Sequence, residues 1–181
     1  MTQTDQIEVV DPTPLVKSLY ERLWIETGAQ EERCLYNVVE ILVLKLLSDI
    51  GAVNGHHSFQ HLLTLLTDGG EEAALTHYAS VSRPEVRGRF PQHSEGHKIK
   101  ATVFIEADGQ PNLQWAWLFG EVLRAFHGHE EEHGTLRNVE RQFKARVYEA
   151  FLQQQAGIRL LTSTEFDEQL KWFPPTSLDR G

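Results

Sequence analysis

The residues with the most chemical potential in this chain are its histidines. His129-Glu130-Glu131-Glu132-His133 fits the H-E-x-x-H pattern. In that pattern two histidines one helical turn apart hold zinc and the glutamate acts on metal-bound water. The chemistry needs a rigid helix. Here Gly128 and Gly134 bracket the motif and no apolar residue anchors it, so a solvated loop is expected. His56, His57 and His61 also have metal-compatible spacing. They straddle an expected helix start and lack a third ligand of specific type, which favours a surface or capping role. Cys34 is the single cysteine. A catalytic thiol needs a histidine partner and a lowered pKa; a packed core cysteine is the simpler expectation. No Gly-rich strand-to-helix turn for a nucleoside cofactor occurs. No catalytic, cofactor-binding or metal-ligating residue is therefore assigned.

Cations form a second set. Arg137, Arg141, Lys144 and Arg146 cluster around one helical stretch, and Arg83, Arg87 and Arg89 precede Lys98 and Lys100. Either group could touch phosphates, which position a protein without reading sequence. Against this stands a net charge of −9, since phosphate neutralisation needs clustered cations. The competing reading is a solvated face paired with Glu140, Glu149 and other acids. Trp115, Trp117, Phe119 and Phe126 could stack on bases, but at helical spacing Trp115, Leu118 and Phe119 read more simply as core.

These residues must be positioned mostly by helices. Residues 1–12 read as a flexible arm. Thr13-Pro14 suits a helix start, with Thr13 as cap. Leu15, Val16, Leu19, Tyr20, Leu23 and Trp24 make an apolar stripe, ended by Gly28. From Gln30 to Ile50 the chain is apolar nearly all round, which predicts a central helix. Ser58 can cap a helix over Phe59–Thr67, and Glu71–Val81 reads as another. Arg83-Pro84 should interrupt it, because a residue before proline avoids helical geometry. Lys98–Glu106 is the one convincing strand, with Asp108-Gly109 as its turn. Asn112 can cap a helix from Leu113 to Phe126. A second begins at Asn138, where Val139, Phe143, Val147 and Phe151 recur every four residues. The expected fold is mainly α: an irregular bundle of about six helices with one small β element. Residues 162–181 read as a tail, partly docked through Phe166, Leu170, Trp172 and Phe173 before Pro174-Pro175 stops it.

The chain has 181 residues, 40% hydrophobic and 24% charged, which suits one globular domain with tails. No apolar run reaches membrane-span length. The polar start, Met1–Gln6, has no signal-peptide core, and one cysteine fits a reducing compartment. A cytoplasmic location is the expectation.

Four segments resemble a known family in order and spacing. They are Leu42–Asp49, Arg83–Val86 with Phe90-Pro91, Phe119–Phe126, and Gln142–Leu152. Together they are similar to the N-terminal helical region of adenine-N6 DNA methyltransferases of the type I restriction-modification kind, over roughly residues 15–161. The resemblance implies a helical domain, residues 13–161, that helps enclose DNA and contacts the catalytic domain or a specificity subunit. In the family this region runs into a Gly-Gln-aromatic-Phe-Thr-Pro-Arg segment that opens the catalytic domain. Here Leu161 is followed by Thr162-Ser163-Thr164-Glu165-Phe166. Adenine methylation also calls for Asp/Asn-Pro-Pro-Tyr/Phe, whose ends hold the target amine and stack on the extruded base. Phe173-Pro174-Pro175-Thr176 has the wrong residue at each end. The catalytic domain is expected to be absent, with S-adenosylmethionine belonging to it, so this chain should not methylate alone. The competing class is a stand-alone acidic helical interaction module without DNA contact.

Overall fold

A computed structural model describes residues 9–89, 102–140 and 143. Six α-helices account for most of them: α1 (Thr13–Thr27), α2 (Glu31–Asp49), α3 (Phe59–Gly69), α4 (Glu71–His77), α5 (Arg83–Gly88) and α6 (Ala116–His133). Single 3-10 turns cover Gly55–His57, Leu113–Trp115 and Leu136–Asn138. The architecture is mainly α, as the periodicity predicts.

Helix α2 is the hub. Leu35, Tyr36, Val38, Val39, Ile41, Leu42, Val43, Leu44, Leu46 and Leu47 are all buried on it. A helix apolar on every side needs neighbours on every side. It has α1, α3, α5 and the Leu136 turn. Three polar side chains lie within the same buried run: Asn37, Glu40 and Lys45. Burying such groups is costly unless they are bonded, and each is bonded to a different later part of the chain.

The ends of α1 and α3 follow local chemistry. Gly28 closes α1 at φ 63°, and its N–H donates to the Trp24 carbonyl. Glycine adopts this left-handed geometry without steric cost. Ser58 caps α3 as expected, its Oγ accepting from the His61 N–H at 3.2 Å. At the start of α1 the cap shifts. Asp11, not Thr13, supplies the acceptor, taking the Thr13 N–H at 3.0 Å.

Two expectations need correction. Among the described residues the small β element does not form, and there are only isolated bridges, Val10 with Val139 and Ile105 with Pro111. Residues 98–101 lie outside the described residues. From Thr102 onward the reason is visible. The Val103 and Phe104 N–H groups, which a ladder would use, both point at Asn37 Oδ1, at 2.6 and 3.4 Å. The Thr102 N–H turns back to the Ile105 carbonyl at 2.8 Å, and Pro111 has no N–H to extend pairing. The Asp108-Gly109 turn does form, with Gly109 at φ 87°.

Arg83-Pro84 does not interrupt its helix either. Arg83 is helical (φ −62°, ψ −47°), and α4 passes into α5 through a π-helical turn, Tyr78–Ser82. The Arg83 N–H donates five residues back, to the Tyr78 carbonyl. That wider turn precedes the proline, whose missing N–H is harmless so near the start of α5. The helix expected from Asn138 starts differently. Asn138 ends a 3-10 turn and Val139 is extended. Val139 and Phe143 are buried; Val147, Phe151 and the tail lie outside the described residues.

Gly120 sets the approach of α6 to the α3–α4 hairpin. A Cβ there would come within 2.8 Å of Glu71 Cγ and 3.3 Å of Leu66 Cδ1. Gly120→Val is expected to destabilise the fold by about 1–3 kcal/mol through overpacking. The check is a lower urea midpoint with an unchanged slope.

Candidate functional site

The densest polar arrangement is buried where α2 meets the π turn and α5. Glu40 is fully buried on α2, and Arg83 is 5% exposed. Arg83 Nε donates to Glu40 Oε1 at 2.6 Å, and the Tyr78 hydroxyl donates to the same oxygen. Glu40 Oε2 and Arg83 Nη2 have no hydrogen-bond partner among the described residues, so the pair is single-pronged rather than a full fork. Burial, then the Glu40 charge, push the Tyr78 phenol well above its ordinary pKa. The same two causes raise Tyr36. Burial is the largest single influence on Arg83 and works against its cation, but Glu40, Tyr78 and Tyr36 together outweigh it and the guanidinium is held charged. With Glu40 sealed from solvent, this cluster works as a clamp between elements.

A second polar knot closes the other end of α2. Lys45 Nζ donates to both Asp49 oxygens, at 2.6 and 2.7 Å, and to Glu130 at 3.1 Å. It also lies 5.3 Å from the centre of the Phe59 ring. Asp49 Oδ2 accepts the Leu136 N–H at 2.8 Å.

The H-E-x-x-H stretch is not a loop. Residues 129–133 form the last turn of α6, with the His129 and His133 ring centres 4.8 Å apart. Gly128 does not break the helix because Glu130, tied to Lys45, anchors its end. That tie also occupies the glutamate which zinc chemistry would need free. Among the described residues no group of three or more histidine, cysteine or acidic side chains is arranged to hold a metal ion. His56, His57, His61 and His77 gather at one corner. The His61 and His77 rings are 4.8 Å apart, and His77 Nε2 lies 2.6 Å from the His56 carbonyl oxygen. Cys34 is buried in the core, and burial raises its thiol pKa, opposite to what a nucleophile needs.

Two of these histidines predict a pH dependence. Burial first, then neighbouring His77 and His56, lower the pKa of His61. Burial first, then His133, lower that of His129. An unfolded histidine titrates near ~6.5. Below that value the unfolded chain takes up more protons than the folded one, so stability falls as pH drops. Melting temperature is expected to decline from about pH 8 to about pH 5.5, and His61→Gln with His129→Gln should flatten the decline. An unchanged slope in the double variant would refute this assignment.

The seven candidate phosphate contacts do not come together in the described residues. Arg83 is buried on Glu40. Arg87 is partly buried and Arg89 exposed; Arg89 bonds Glu85 through Nε and Nη2, at 3.2 and 2.9 Å. Arg137 is exposed on the 3-10 turn after α6. Arg141, Lys144 and Arg146 lie outside the described residues. Elsewhere Arg22 pairs with Glu121, and Arg124 with Glu71 and Glu121.

The aromatic set divides. Phe119 and Phe126 are core, Phe119 packing edge-on to Phe104 with ring centres 5.3 Å apart. Trp115 is partly buried. Trp117 is 39% exposed, and Trp24, Ile25 and Leu113 are exposed as well. The apolar stripe of α1 predicts Trp24 inward, but it is 47% exposed. No helix among the described residues is long and apolar enough to cross a membrane. No family model matches the sequence, and comparisons with curated proteins and solved structures give no significant match.

Proposed function

We propose that this chain is a non-catalytic helical scaffold of the kind found N-terminal to adenine-N6 DNA methyltransferase domains. Its working contact is with a protein subunit: the methyltransferase catalytic domain or a specificity subunit. S-adenosylmethionine would be bound by that partner. Support comes from the family-like segments that coincide with framework elements. Leu42–Asp49 is the C-terminal part of α2, Arg83–Val86 opens α5, and Phe119–Phe126 is the body of α6.

One contrast carries the choice of protein over DNA as the principal partner. Arg22, Arg83, Arg89 and Arg124 are all paired with carboxylates of the chain itself, while large apolar side chains on α1 and beside α6 face solvent. Internally paired arginines release few counterions on meeting phosphate, and counterion release supplies most non-specific DNA affinity. The test is calorimetric titration of the full chain with duplex DNA at about 50 and about 200 mM salt, and with a methyltransferase subunit at the higher salt. Subunit binding with little DNA binding is expected. Tight DNA binding that weakens steeply with salt, without subunit binding, would overturn the reading.

A further inference from the structure

We infer that Ile25, Trp117 and Leu113 form a seat for a basic amphipathic helix of a partner protein. This rests on the protein-docking reading and specifies the chemistry of its partner.

The placement follows from how α1 and α6 lie together. Val9, Val10 and Asp11, just before α1, line the same hollow as His133 at the end of α6. Further along, Arg22 of α1 pairs with Glu121 of α6 at 3.5 Å. The two helices therefore run antiparallel. Ile25 lies about one turn beyond Arg22, and Trp117 about one turn beyond Glu121 in the reverse chain direction. Both steps lead to the same end of the pair. Leu113, in the 3-10 turn that leads into α6, extends the row. Ile25 is 76% exposed, Leu113 44% and Trp117 39%. Single exposed apolar residues are ordinary, but several at one end of two adjacent helices make a patch, and patches mark docking sites.

Charge around the patch selects the partner. Glu21 and Glu26 are exposed on α1, and neither forms an ion pair among the described residues. Glu31 opens α2 nearby, and Glu121 is shared between Arg22 and Arg124. The last turn of α1 carries no basic residue to offset its carbonyl ends. Among the described residues at this end, Arg22 is already paired, which leaves Arg33 in the first turn of α2. The described surroundings are net negative, so a partner with lysine or arginine beside its apolar stripe is favoured. The partner segment is a helix rather than a strand. Strand addition needs a sheet edge, and the described residues contain only isolated bridges.

The probes are two synthetic helical peptides with leucines at i, i+3, i+4 and i+7, one flanked by lysines and one by glutamates. Binding to the full chain is read by tryptophan fluorescence at two salt concentrations. The lysine peptide should bind, more weakly at high salt, and the glutamate peptide should not. Ile25→Ser should weaken binding by about tenfold, as expected of a residue central to an interface. Glu26→Lys should weaken it several-fold. Ile25 is exposed enough that the variant should melt like the parent, which removes misfolding as an explanation. Equal binding of both peptides, or no effect of Ile25→Ser, would overturn the inference. So would a dimer in sedimentation that Ile25→Ser dissociates, since the occupant would then be a second copy. A methyltransferase subunit that binds Ile25→Ser as well as the parent defeats the seat while leaving the docking reading intact. Peptide binding without any subunit binding does the reverse.

Discussion

Arg83→Met is expected to lower folding stability by about 3–5 kcal/mol, the usual cost of removing one partner from a buried ion pair. The variant leaves Glu40 fully buried without its guanidinium partner, the Tyr78 hydroxyl still donating to it. An unpaired interior carboxylate must either stay charged without a counterion or take up a proton, and both states disfavour folding. The effect should be strongly non-additive. Glu40→Met combined with Arg83→Met removes both charges, and its loss should be smaller than the sum of the single losses. Chemical denaturation of the four species in a double-mutant cycle gives the coupling. A single-variant cost under about 1 kcal/mol, typical of surface pairs, would show that the clamp between α2 and α5 has been misjudged.

Lys45→Met should cost about 3 kcal/mol on the same grounds. Lys45 is 2% exposed, and its ammonium bridges the Asp49 and Glu130 carboxylates. Methionine fills much the same volume, so packing is largely conserved and the loss isolates the charge. Glu130 retains some solvent contact, at 29% side-chain exposure, which keeps the figure at the lower end of the range. The damage should be local as well as global. Asp49 also accepts the Leu136 N–H, so freeing its carboxylate should loosen the end of α6 and the turn that follows. Faster amide hydrogen exchange at Leu136 than in the centre of α2 is the expected signature. Uniform exchange across both regions would contradict it.

The sequence makes the bundle legible and hides its polar fastenings. Periodicity places α1, α2, α3 and α6 because apolar spacing and the Ser58 cap act locally. The same reading passes over Asn37, Glu40 and Lys45. Yet the signal is there: in a helix apolar on all sides, any polar residue must be buried and must find a partner. Its partner is the illegible part. Glu40 meets Arg83 across 43 positions and Lys45 meets Glu130 across 85. These distant bonds also account for the failures. Asn37 takes the N–H groups that a strand at Val103 would have used. Glu40 holds Arg83 in helical geometry despite the proline after it. Lys45 secures the last turn of α6, where flanking glycines suggest a loop. Of the seven candidate phosphate contacts, Arg83 illustrates the limit most clearly: composition counts a cation, but only tertiary structure tells whether its charge is already spent.

We propose that this helical chain works as a scaffold through its docking to a protein that carries the chemistry. The most direct test is analytical ultracentrifugation of the full chain mixed with an adenine-N6 methyltransferase subunit at near-physiological salt, with labelled duplex DNA followed in parallel. A discrete complex with the subunit is expected, while the DNA sediments alone. A chain that co-sediments with the DNA and leaves the subunit free would contradict it.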